Sequence, residues 1–114
     1  MEHRWSRRVT IGRNAIIECA RHGIAIARLR DVSLHGARLV TGALRLPRHT
    51  PLVLEFNLTQ ARRQLHFRLE AAVVRECDDG VAVVFLDVDR TTQQALRAAL
   101  YETVPAEMQE RRVA

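Results

Sequence analysis

The sequence has no lysine: all eighteen of its basic residues are arginine. A GC-rich coding composition is the plainest explanation. The chemical consequence stands regardless, because a guanidinium presents a planar fork of donors suited to phosphate oxygens and guanine edges. Aromatic residues are scarce too, at 4%: Trp5, Phe56, Phe67, Phe85 and Tyr101. Single-stranded nucleic acid is normally gripped by stacking successive bases on exposed rings. Few rings therefore argue against an RNA- or DNA-binding barrel, although the net charge of +5 favours anionic partners. The two cysteines, Cys19 and Cys77, lie far apart in apolar segments and form no Cys-x-x-Cys pair. They read as small buried thiols, with nothing that demands an oxidising compartment. Long hydrophobic runs are missing as well. The longest, Val81 to Leu86, is far short of a membrane span. Arg13, Glu18 and Arg21 interrupt the stretch in which a signal peptide would need its apolar core. A soluble cytoplasmic protein, monomer or weak dimer, is the expectation.

What is present suffices for one folded domain. A chain of 114 residues with 47% hydrophobic content can bury a single core, and no glycine-serine or proline-rich linker divides it. Residues 1–13 are polar and basic without a usable period, and read as a flexible arginine-bearing arm. Period-two patterns then predict strands from Asn14 to Ala20, Ile24 to Asp31 and Ala37 to Val40. Further strands follow from Leu52 to Leu58, Gln64 to Glu76 and Val81 to Val88. Arg21-His22-Gly23, Ser33 to Gly36, Thr59 to Arg63 and Cys77 to Gly80 are the turns, and Gly42 to Pro51 a loop. Six strands with short connections predict a mainly β fold, an antiparallel barrel closed or nearly so, which leaves no exposed edge. Ala95, Leu96, Ala99, Leu100 and Thr103 recur at helical spacing, after a Thr-x-x-Gln pattern at Thr91 with Asp89 as another possible cap. Pro105 stops the run. The domain is thus expected over 14–104, with a frayed tail at 105–114.

Two short patterns carry chemistry. One is Arg4-Trp5-Ser6-Arg7-Arg8, an Arg-x-x-x-Arg on the arm; the other is Asp31-Val32-Ser33-Leu34-His35-Gly36, an Asp-x-Ser-x-x-Gly where two strands meet. Each alone is weak, since arginines are plentiful and Asp-x-Ser is ordinary turn chemistry in which side chains satisfy local backbone donors. No nucleophile is paired with a base, so an enzyme is not expected. His22, His49 and His66 are scattered without ligand spacing, which gives no reason to expect a metal.

Together and in this order, the two patterns resemble those of the PilZ domain family, bacterial receptors for the second messenger cyclic di-GMP. The likeness runs across nearly the whole chain, including Val9 directly after the arm and the strand Gly80-Val81-x-Val83-x-Phe85 before the helix. The resemblance implies a six-stranded barrel followed by a C-terminal helix. It also implies a binding module that holds cyclic di-GMP without converting it and needs no cofactor. Arg4 and Arg8 would pair with phosphate or with guanine O6 and N7, and Asp31 would accept from the donor edge of a guanine. Ser33 would add a hydroxyl bond. Gly36 would take a backbone shape denied to other residues and keep a side chain out of the site.

His3 stands where many members that bind two stacked ligands have a further arginine, which leaves the stoichiometry open. Trp5 would cover the ligand or pack on the barrel, Arg7 would be solvated or attract phosphate generally, and Arg38 is a secondary candidate two residues beyond Gly36. The implied role is a receptor whose arm changes conformation on binding and relays the signal to an effector protein of exopolysaccharide, flagellar or pilus machinery. The alternative is an adaptor of the same fold that binds protein and no nucleotide.

Overall fold

A computed structural model describes residues 9–102 of the chain. Six strands, β1 (Val9–Cys19), β2 (Gly23–Val32), β3 (Gly36–Val40), β4 (Pro51–Gln60), β5 (Arg63–Glu76) and β6 (Gly80–Phe85), precede one helix, α1 (Arg90–Glu102). They pair antiparallel and close in the order β1-β2-β3-β6-β5-β4. The barrel expected from periodicity is therefore present.

Alternation sorts the side chains. Leu52, Leu54, Phe56 and Leu58 of β4 face Phe67, Leu69, Ala71 and Val73 of β5 inside the barrel, all buried. Phe56 stacks on Phe67 at 5.5 Å and on Phe85 at 6.4 Å between ring centroids. Leu46, in the loop between β3 and β4, is fully buried and folds back into this core. On α1, Leu96, Ala99 and Leu100 are 0% exposed, and the helix packs against β4 and β5. Its apolar stripe is thus covered within the chain.

Several boundaries differ from expectation. β1 begins at Val9, which is 3% exposed, so 9–13 is strand and not arm. The period was hidden by an irregularity between Thr10 and Arg13, where Gly12 adopts φ +72° and shifts the register against β2. The β4–β5 turn is tighter than Thr59 to Arg63: Gln60 pairs with Arg63, leaving Ala61 and Arg62 at φ 51° and 66°. Such a turn normally carries glycine or asparagine, so its sequence gives no signal. β6 ends at Phe85 and not at Val88. Asp89, not Thr91, caps the helix, accepting from Thr92 N at 2.7 Å through Oδ1. Cys19 is buried as expected, whereas Cys77 is half-buried; both are free thiols. Arm residues 1–8 and the tail, with Thr103 and Pro105, lie outside the described residues.

Candidate ligand-binding site

The Asp-x-Ser-x-x-Gly segment spans the last residues of β2, a tight turn and the first residue of β3. A β-bulge shapes it. Between Leu29 and Asp31 the register with β3 shifts, so that Arg30 and Asp31 together oppose Arg38. Leu29 and Val32 stay fully buried, while Arg30 is exposed and Asp31 half-buried. One extra residue thus sets a guanidinium and a carboxylate side by side on the outer wall, facing a second guanidinium.

The turn beyond is held by its own hydroxyl. Ser33 N donates to Gly36 O at 2.8 Å, Ser33 Oγ donates to the same oxygen at 3.3 Å, and His35 N donates to Ser33 Oγ at 3.3 Å. Ser33 is 8% exposed, so this hydroxyl is first of all a turn-former. His35 is exposed, and its carbonyl accepts from Phe85 N at 2.8 Å, which ties the turn to β6.

Gly36 is required for a different reason from the one expected. It is not among the glycines with positive φ. A Cβ there would instead lie 2.1 Å from the Val83 carbonyl oxygen. The glycine allows β3 to approach β6, and an added side chain would strike backbone before it reached a ligand.

Arg38 falls on this wall, as the motif spacing allowed. Two further residues were not anticipated. Asp79, read from sequence as a hairpin residue, stands with Oδ2 3.5 Å from Arg30 and Oδ1 3.7 Å from Arg38. Arg30 and Asp79 are 49 residues apart, and only the pairing of β3 with β6 brings the hairpin to them. Among the described residues no cluster of His, Cys, Asp and Glu could hold a metal.

A pocket of about 540 Å³ exists, but Cys19 to His22, Arg45 and Pro47 line it, at the opposite barrel end. Arg4 and Arg8, with His3, Trp5 and Arg7, lie outside the described residues. Their point of attachment does not: Val9 pairs with Val32, and Thr10 with Asp31.

A family model of the PilZ domain matches residues 2–102. The chain belongs to the PilZ domain family. Three solved structures show the same fold at low sequence identity. The PilZ domain of YcgR from Escherichia coli, a structure with c-di-GMP, superposes with a TM-score of 0.68 at 19% identity, covering 94% of this chain and 93% of that one. The Bacillus subtilis inhibitor of motility, MotI/DgrA, gives 0.74 at 17%, covering 89% of this chain and 50% of that one. The PilZ domain of CeSA from a cellulose-synthesizing bacterium gives 0.64 at 15%, covering 84% and 96%. No curated protein matches the sequence. The six-stranded barrel with its C-terminal helix is accordingly a PilZ fold, with its Asp-x-Ser-x-x-Gly at the β2–β3 junction.

Proposed function

We propose that this PilZ domain is a receptor for cyclic di-GMP, binding on the outer wall at the β2–β3 junction with a leader that orders over the ligand. One observation carries the reading. The register Val9 with Val32 and Thr10 with Asp31 joins the Arg-x-x-x-Arg leader to the barrel beside the Asp-x-Ser-x-x-Gly segment. Covalent geometry then tethers Arg8 Cα about 3.8 Å from Val9 Cα, and Arg4 within about 18 Å. Both guanidinium groups are within reach of a ligand seated against Asp31.

The chemistry fits a compact anion bearing guanines. Arg4 and Arg8 pair with phosphate or with the Hoogsteen edge of guanine, Asp31 accepts from the guanine donor edge, and Ser33 and Gly36 hold the turn that presents it. Arg30 and Arg38 add positive charge. Their bonds to Asp79 are half-exposed and so worth less than about 1 kcal/mol each, which leaves them exchangeable for a phosphate.

Ordering a leader residue costs about 1–2 kcal/mol, and each charge-assisted hydrogen bond returns about 1.5–3 kcal/mol. A handful of arginine contacts offsets the ordering and leaves a modest surplus, the condition for a reversible switch. Leader position would then expose or hide a surface for an effector protein in the cytoplasm. The domain holds its ligand and does no chemistry on it. Titration calorimetry with cyclic di-GMP tests this. The wild type gives binding heat and a stoichiometry of one or two, and Arg8→Ala loses most of the heat; equal heats in both overturn the proposal.

A further inference from the structure

The outer wall of β1 and β2 carries a feature that nucleotide binding does not explain. Ile24 and Ile26 are 71% and 73% exposed, on the face that β2 turns to solvent. Register sets Ile16, 42% exposed, directly across from Ile26. Three isoleucines thus form one contiguous apolar strip on a sheet wall that solvent would otherwise line with polar residues. α1 lies elsewhere, against β4 and β5.

The margins of the strip are charged, and oppositely. Asn14 pairs with Arg28 in the row on one side, and Glu18 pairs with Ile24 in the row on the other. Arg28 has no ion-pair partner among the described residues. Glu18 is half-exposed and pairs with Arg68 at 3.1 Å, an exposed ion pair weak enough to exchange. Arg28, the isoleucines and Glu18 therefore succeed one another along the same two strands, basic, apolar and acidic in turn.

That order is self-complementary. A two-fold axis lying in the contact plane between Ile16 and Ile26, perpendicular to the line from Glu18 to Arg28, lays each basic margin over the other copy's acidic margin. The isoleucines meet at the centre. Such an isologous contact closes at two copies and leaves no free surface to propagate.

We infer that the β1–β2 wall is a homodimer interface, a second copy of this chain covering Ile16, Ile24 and Ile26 with Arg28 paired to Glu18 of its partner. From strand and residue spacings the face spans on the order of a few hundred Å² per copy. A stable interface buries about 800 Å² per partner, so the association is weak and set by concentration.

Sedimentation velocity of the whole chain, without nucleotide and from micromolar to millimolar, tests the assignment. The wild type shifts from monomer to dimer with concentration. Ile26→Glu stays monomeric; because Ile26 is an exposed residue, an unchanged circular dichroism spectrum shows that folding is intact. Arg28→Glu weakens the dimer by about tenfold, since each mutated margin meets a like charge in both symmetric contacts. The exchange of both, Glu18→Arg with Arg28→Glu, restores it. A wild type monomeric throughout, a dimer indifferent to Ile26→Glu, or a double exchange no tighter than Arg28→Glu alone would each overturn it.

Discussion

Asp79 stands beside the candidate site without belonging to its motif. Its two oxygens hold Arg30 and Arg38 on the wall beside Asp31, at distances that leave both cations exchangeable. Asp79→Asn removes a competitor for those guanidinium groups. Cyclic di-GMP affinity then rises about two- to five-fold, in line with the small worth of half-exposed pairs. Unchanged affinity in a titration would show that Arg30 and Arg38 do not meet the ligand.

Gly36 makes the complementary case, a motif residue whose requirement is mechanical. A Cβ placed 2.1 Å from the Val83 carbonyl meets backbone that is fixed by the β3–β6 ladder. Gly36→Ala therefore destabilises the fold by about 1–3 kcal/mol or more, as overpacked sites do, and denaturant melts measure it. Asp31, Ser33, Gly36 and Arg38 were all visible as motif or near-motif positions. Arg30 and Asp79 were not, because a contact spanning 49 residues leaves no local pattern.

Among elements, legibility followed regularity. β4 and β5 alternate without interruption over their whole pairing and were found within a few residues. β1 was found late because the irregularity near Gly12 breaks its period, so five residues of strand were assigned to the leader. In β2, Ile24, Ile26, Arg28 and Arg30 are all exposed, an outer face that period two alone does not identify. Which side of a sheet is buried depends on the other strands.

The helix start turned on two competing caps. Asp89 prevailed, and its carboxyl is held below the ordinary aspartate value, mainly by the Thr92 backbone N–H and then by the Thr92 hydroxyl. A depressed pKa means that the charged form supports the fold. That support is full above the ordinary aspartate range and is lost as pH falls through the folded value. Asparagine caps about as well without titrating. Thermal melts should thus find Asp89→Asn close to wild type at neutral pH, with the wild type losing ground to it on acidification. A difference that does not change with pH contradicts the assignment.

At the scale of the molecule, the barrel separates its surfaces. The β2–β3 junction faces the leader's point of attachment, and the β1–β2 wall beside it carries the isoleucine strip. The pocket of about 540 Å³ opens at the far end. β2 contributes to both of the first two, with Arg28 and Arg30 standing between apolar strip and motif, so the two proposed contacts would adjoin on one strand. The PilZ fold supplies a closed barrel whose six strands leave no unpaired edge.

The central claim is that leader and strand junction grip one nucleotide together, and a double-mutant cycle tests it most directly. Cyclic di-GMP affinity is measured for wild type, Arg8→Ala, Asp31→Ala and the two combined. The account predicts large losses in each single variant and a combined loss smaller than their sum, because the two groups share one ligand. Full affinity in either single variant, or a wild type that does not bind, would contradict it.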